Sequence, residues 1–318
     1  MTTTTAGPQA ASRRPDATAA TPRRVPDQRG HGRQASLFLA PFMILYLLFI
    51  IGPTIYMVVM SFFDTSLVKS GLGGFAGFGN YAEALSSSDF WSSMWHTVWF
   101  TILTTPPLVV LAFVFALLAD RVRRGRWFFR LAFFLPYILP SAVVALIWVW
   151  LYTPALGLLT KIVTTLGFAE PNWLGSPNLA MWSLAITTVW WTLGFNFVLY
   201  LAGLQDIPRE LYEAASMDGA GPVQQISRIT VPMLGRTTTL VVVLQVIASL
   251  KVFDQMYIMT SGGPNYSTRS LLEYVYDIGF TDFRTGYAAA ASTLFFILVL
   301  AVSAVWIFLT RRQEQQGA

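Results

Sequence analysis

Six apolar runs, with approximate limits 36–62, 93–119, 127–152, 179–204, 236–259 and 284–310, constrain this chain more than any other feature. Each is long enough for the ~20 residues that a helix needs to cross the hydrocarbon core of a bilayer. Inside lipid every backbone N–H and C=O must be satisfied within the segment, so runs of this length are predicted to be helices. Composition agrees: the chain is 54% hydrophobic and 12% charged, against roughly 25% charged for a soluble domain. The expected fold class is therefore all-α, a polytopic membrane protein with six transmembrane helices.

Cations assign the sides. Arg13, Arg14, Arg23, Arg24, Arg29 and Arg33 precede the first run, and Arg121, Arg123, Arg124, Arg126 and Arg130 follow the second. Arg209, Arg228 and Arg236 flank the fourth connection, and Arg311 and Arg312 close the last run. The opposite side holds only Lys69, Lys161, Arg269 and Arg284, offset by acidic residues. Positive charge stays in the cytoplasm, so both termini and the fourth connection are expected there. The pI near 9.6 follows from this sidedness and from attraction to anionic membrane lipid; it gives no reason to expect a nucleic-acid partner.

Several chemistries are excluded. With no cysteine there is no disulfide, thiol nucleophile or thiolate site. His31 and His96 are far apart and show no metal-ligand spacing. A phosphate-binding loop needs a Gly-Lys step, yet Lys69, Lys161 and Lys251 follow Val, Thr and Leu. The expectation is no catalytic residue, no metal and no cofactor in this chain. Residues 1–35, rich in Thr, Ala, Arg, Pro and Gln, read as a disordered tail, and 311–318 as a short C-terminal one. Pro106 and Pro107 in the second run, and Pro136 and Pro140 in the third, should bend their helices by removing backbone donors.

Between the fourth and fifth runs the chain reads Glu213-Ala-Ala-Ser-Met-Asp-Gly-Ala-Gly-Pro-Val-Gln-Gln-Ile-Ser-Arg-Ile-Thr-Val-Pro232. Pro208 suits the first turn of a helix, Leu211, Ala214 and Ala215 follow at spacings of three and four, and Gly219 and Gly221 stop it. Pro222 opens a second short helix carrying Val223, Ile226 and Ile229. Small alanines let a partner backbone approach, while Glu213 and Asp218 offer it charge. This loop resembles the EAA signature of the membrane subunits of bacterial ABC importers: EAA, three residues, G, nine residues, I, one residue, LP. Glu213, Ala214, Ala215, Gly219, Ile229 and Pro232 fit that spacing, and Val231 stands where the family usually has Leu.

Other tracts are similar to the carbohydrate-uptake, maltose-type branch of these permeases: Ser249-Leu-Lys-Val-Phe-Asp254, Thr260 with Gly262-Gly263-Pro264, Gly79-Asn80-Tyr81 and Leu135-Pro136-Tyr137. The similarity covers 36–310 and implies a type I ABC importer permease fold, a binding-protein-dependent inner-membrane component in a bacterial cell membrane. It implies that the loop, 205–235, is a cytoplasmic coupling element. Glu213, Ala214, Ala215, Asp218, Gly219, Ile229 and Pro232 would dock it on an ATPase subunit. Implied partners are a second permease subunit, two ATPase subunits that bind ATP and Mg, and an extracellular solute-binding protein that delivers a di- or oligosaccharide.

Polar side chains at membrane depth tend to face a cavity or each other. Asn196 in the fourth run, Gln245 and Ser249 one turn apart in the fifth, and Asp254 nearer the outside are candidates for the sugar path, with Trp191 as a stacking face beside Trp190 and Phe195. Lys251 and Asp254 are spaced to neutralise one another. A phosphate ester such as glycerol phosphate would favour more cations than Lys251 alone, and a polyol is a further alternative. An ion-coupled carrier would show ionisable residues in several runs or a repeated half.

Overall fold

In the computed structural model, residues 2–3, 29–122 and 125–316 are described. Their elements fall in two compact units, Met1–Pro53 and Thr54–Ala318. The first unit holds α1 (Arg29–Tyr46) and a π-helical turn at Leu47–Ile51, closed by the Gly52 N–H on the Leu47 carbonyl. The chain then enters α2 (Gly52–Met60). The widened turn falls just before Pro53, where a donor is missing from the ladder. The tail expected over 1–35 lies largely outside the described residues; α1 already begins at Arg29.

The second unit is built on α4 (Ser88–Arg121) and α8 (Pro177–Gln205), which pack together along their length. Ser87 caps α4 by accepting from the Phe90 N–H at 3.3 Å, with Asp89 in the first turn. Leu108, Ala112 and Ala116 of α4 bury against Phe197, Tyr200 and Leu201 of α8. Small residues one turn apart allow this close approach. The bend expected at Pro106 and Pro107 does not interrupt α4, which runs continuously through both. Only the Ile102 and Leu103 carbonyls lose their donors there, and the rest of the ladder holds the helix.

The third apolar run does break. It forms α5 (Arg126–Ile138) and α6 (Ser141–Tyr152), inclined at 95° across Leu139 and Pro140. Pro140 sits at the N-cap of α6, whereas Pro136 remains inside α5. The fifth run, expected as one span over 236–259, is also divided. Helix α12 (Gly235–Leu250) ends at Lys251, and α13 (Asp254–Thr260) starts afresh after Phe253. A lysine and an aspartate inside an otherwise apolar stretch mark the break. Counting each bent pair as one crossing, α5 with α6 and Pro222–Met233 with α12 at 63°, the described residues supply four continuous spans and two bent ones, which makes the expected six.

Short elements complete the unit. Helices α3 (Gly79–Ser86), α7 (Leu158–Thr165) and α14 (Leu271–Tyr276), the last continued by a π turn at Asp277–Thr281, lie in the loops. Helices α9 (Arg209–Met217), α10 (Pro222–Gln225) and α11 (Val231–Met233) form the fourth connection, with a π turn at Ile226–Thr230. Helix α15 (Thr285–Gln316) closes the chain, so the C-terminal tail expected from 311 continues the last helix as far as Gln316. Buried polar bonds fix the loop helices. Asn80 Nδ2 donates to the Ser61 and Phe63 carbonyls at 3.0 and 2.9 Å, and the Leu271 N–H donates to Thr97 Oγ1 at 2.9 Å.

Candidate functional site

The fourth connection is a helix, a glycine bend and a second helix, as its residue order predicts. Helix α9 ends in a paired closure: the Ala220 N–H bonds the Ala215 carbonyl at 2.9 Å and the Gly219 N–H bonds the Ser216 carbonyl at 3.1 Å. This arrangement needs a left-handed residue just past the helix, and Gly219 has φ +80°. A Cβ at Gly219 would meet no atom within 4 Å, so backbone conformation and not space selects glycine. Tyr212 Oη and Thr230 Oγ1 lie 2.9 Å apart, and Gln225 Nε2 donates to Ser216 Oγ at 2.9 Å, tying the two arms together.

What the hairpin leaves outward is specific. Glu213, Ala214, Asp218 and Pro232 are exposed and Ala215 and Ile229 half-buried. Met217 and Val223, which the sequence pattern did not single out as contacts, are 87% and 78% exposed at its tip. Large apolar side chains thus stand outward at the turn beside the exposed Glu213 and Asp218 carboxylates.

The second feature is a cavity of about 280 Å³ where α4, α5, α6, α8, α12, α13 and the link between the last two converge. Of the sequence candidates, Trp191, Gln245, Ser249 and Asp254 line it and Asn196 does not. Asn196 stands behind the wall: its Nδ2 donates to Gln245 Oε1 at 3.1 Å, Gln245 Nε2 donates to Ser249 Oγ at 3.1 Å, and Ser249 Oγ lies 3.1 Å from Thr104 Oγ1. The amide and hydroxyl groups proposed for a ligand are thus first linked to each other, which fixes their orientation.

Lys251 and Asp254 do not pair among the described residues; Ser141 Oγ donates to Asp254 Oδ2 at 2.7 Å instead, joining the two broken spans. Thr188, Gln255 and Tyr137 also line the cavity. Thr188 Oγ1 donates to Gln255 Oε1 at 2.7 Å, leaving Gln255 Nε2 buried without a partner, as is Asn196 Oδ1 behind it. Trp191 Nε1 donates to the Leu139 carbonyl at 3.2 Å, using a carbonyl freed by the α5–α6 break to hold the indole in place. Tyr137 stacks on Phe195 at 5.1 Å. Thr188 precedes Trp191 by three residues, a spacing that could have identified it from the sequence.

The loop side of α4 carries a buried ionic group. Arg269 donates through Nε to Ser93 Oγ at 3.3 Å, sits 3.7 Å from Asp89 and packs over the Tyr266 ring. Glu273, only 2% exposed, has one carboxylate oxygen without a partner. Burial, reinforced by Asp277, raises its carboxyl to about 7. Exposed Arg284 pairs with both oxygens of Glu83 at 2.8 and 2.7 Å, which holds the Glu83 carboxyl below its ordinary range.

A six-crossing helical bundle with an exposed helix-glycine-helix loop and a cavity of ring faces and hydrogen-bonding groups beside its helix breaks is a transport subunit of the type I ABC importer permease class. Residues 109–314 match the family described as "Binding-protein-dependent transport system inner membrane component", and the chain belongs to it. Relatives include the sulfoquinovosyl glycerol transport system permease protein of Agrobacterium fabrum, 35% identical over 88% of this chain and 91% of that one. The trehalose/maltose transport system permease protein of Thermococcus litoralis is 35% identical over 85% and 91%. An sn-glycerol-3-phosphate transport system permease protein of Agrobacterium fabrum is 33% identical over 88% and 96%. The fold also matches a crystal structure of a bacterial ABC transporter involved in import of the acidic polysaccharide alginate, with TM-score 0.77 and 23% identity over 89% of this chain and 96% of that one.

Proposed function

We propose that this permease subunit carries a di- or oligosaccharide, received from an extracellular solute-binding protein, through the cavity between α8 and α12. The observation that carries this reading is the cavity lining: Trp191 and Tyr137 rings beside Gln245, Ser249, Thr188 and Gln255, flat apolar faces and neutral hydrogen-bonding groups together. Relatedness alone does not choose between sugars and glycerol phosphate. Charge favours the sugar, since Lys251 and Asp254 both line the cavity and leave no net cationic site for a phosphate.

The subunit pairs with a second permease and two ATPase subunits, which bind ATP and Mg. The 205–235 loop docks on an ATPase subunit through Glu213, Ala214, Ala215, Asp218, Gly219, Ile229 and Pro232, with Met217 and Val223 as apolar anchors. Both termini and this loop face the cytoplasm of a bacterial inner membrane, consistent with the Arg-rich segments on that side. Reporter fusions at Phe75, Thr165 and Ser270 should then signal outside, and fusions at Arg123, Ala220 and Gln316 inside; one inverted pair overturns the topology. The substrate class is tested in a strain lacking its own permeases, by uptake of labelled maltose, trehalose, cellobiose and sn-glycerol 3-phosphate through the co-expressed importer. Uptake of the phosphate ester alone would overturn the sugar reading.

A further inference from the structure

An aromatic strip leaves the cavity at its loop-facing rim. Helix α12 is 16 residues long, about 24 Å at 1.5 Å per residue, so α13 lies at the end of it remote from the 205–235 loop. Phe253, in the link before α13, lines the cavity. From it the rings continue outward. Phe253 stacks on Tyr257 with centroids 5.3 Å apart and meets Tyr276 at 5.5 Å. Tyr257 and Tyr276 are 5.2 Å apart, edge to face, and Tyr276 and Phe280 are again 5.2 Å apart. The two ends differ in exposure: Phe253 and Tyr276 are half-buried, whereas Phe280, in the π turn that extends α14, is 61% exposed.

A belt of rings facing lipid is the plain alternative, because tyrosine and tryptophan gather at membrane interfaces. Two observations oppose it. The strip begins in the wall of the cavity, next to Asp254 and Lys251, and not on a face turned to lipid alone. A carboxylate accompanies it farther out, since half-buried Asp277 directly follows Tyr276 and acts electrostatically on the Tyr257 hydroxyl. Ring faces flanked by tyrosine hydroxyls and carboxylates suit a ligand that offers C–H faces and hydroxyl edges together, which is the chemistry of a carbohydrate.

We propose that Phe253, Tyr257, Tyr276 and Phe280 form an approach track for successive units of a sugar chain, feeding the cavity from the binding-protein side. This inference rests on the carbohydrate reading of the cavity and adds to it a dependence on chain length. A disaccharide filling the cavity makes little use of the outer rings, whereas a longer sugar lies across them.

The test uses the complete importer in proteoliposomes with saturating loaded binding protein, and measures maximal uptake of maltose, cellobiose, maltotetraose and cellotetraose. Phe280→Ala and Tyr276→Ala should lower the tetrasaccharide-to-disaccharide rate ratio about two- to tenfold, the range for losing one aromatic contact. Tyr276→Phe, which keeps the ring, should largely preserve it, and Trp95→Ala, an exposed ring off the strip, should leave it unchanged. Assembly yield and basal ATPase activity confirm that each variant is intact. Unchanged ratios in the strip variants, with Gln245→Leu still slowing every sugar, would discard the track and leave the cavity reading standing. If the unmodified importer moves none of the four sugars, the carbohydrate reading falls and the track with it.

Discussion

The 205–235 loop and the membrane cavity are both candidate working parts, and they are built in opposite ways. The loop is contiguous: its closure bonds run between Ala215, Ser216, Gly219 and Ala220, and its cross-ties link positions no more than 18 residues apart. The cavity is assembled from six helices, and a hydrogen-bonded cluster in and behind its wall joins Thr104, Asn196, Gln245 and Ser249 across up to 145 residues. A local motif can be written as a spacing rule. An assembled one has no fixed spacing, because any helix that delivers an amide to the same depth serves equally well.

The sharpest way to break the comparison is at Gly219. With φ +80° and no neighbouring atom, a β-carbon there is strained by the backbone alone. Gly219→Leu should abolish uptake and uncouple ATPase activity from substrate while leaving the affinity of the solute-binding protein intact. Gly219→Asn, which tolerates the left-handed region better, should retain part of the activity. Equal loss in both would mean that side-chain size, and not conformation, decides the position.

The cavity should respond less absolutely. Gln245→Leu removes a hydrogen-bonding group from the cavity wall and strands the Asn196 amide behind it, while Ser249 keeps Thr104; at about 1–3 kcal/mol for an unmet polar partner, transport should slow by roughly tenfold or more. Val242→Leu serves as the apolar control on the same helix. Normal transport in Gln245→Leu, with Asn196→Leu and Ser249→Ala equally silent, would reduce the cluster to bundle packing.

A third measurement probes the assembled side through pH. The folded Glu273 carboxyl titrates near 7 against an ordinary 4.5. Between those values the folded state holds a proton that the unfolded state has released, so stability falls as pH rises from about 4.5 to 7. Glu273→Gln should therefore raise the thermal midpoint of the solubilised protein at pH 8 more than at pH 4. A pH-independent difference would show that folding does not shift the Glu273 carboxyl.

The smallest effect is expected at Tyr212→Phe, which deletes the tie to Thr230 but spares the closure at Gly219. Loss of one partly buried hydrogen bond costs about 1 kcal/mol, so coupling should weaken severalfold at most. A loss as complete as that of Gly219→Leu would make the cross-tie, and not the glycine closure, the element that holds the loop.

The apolar runs determined that the chain is a six-crossing helical bundle, because length and hydropathy suffice where backbone groups cannot turn to water. The 213–232 spacing likewise determined the helix-glycine-helix loop, since a left-handed turn closing a helix is a local event. Tertiary structure decided the rest. Pro106 and Pro107 stay within a continuous helix because α4 packs on α8, while Pro140 sits at a 95° break where Leu139 offers its carbonyl to Trp191. It also decided that Asn196 supports the cavity wall from behind, that Asp254 bonds Ser141 and not Lys251, and that Thr188, Gln255 and Tyr137 share the cavity. A side chain's place along its own helix follows from periodicity, but which neighbour it meets depends on how the helices cross, and that is set by close approaches such as Gly194 of α8, where a Cβ would collide with the Phe133 carbonyl of α5.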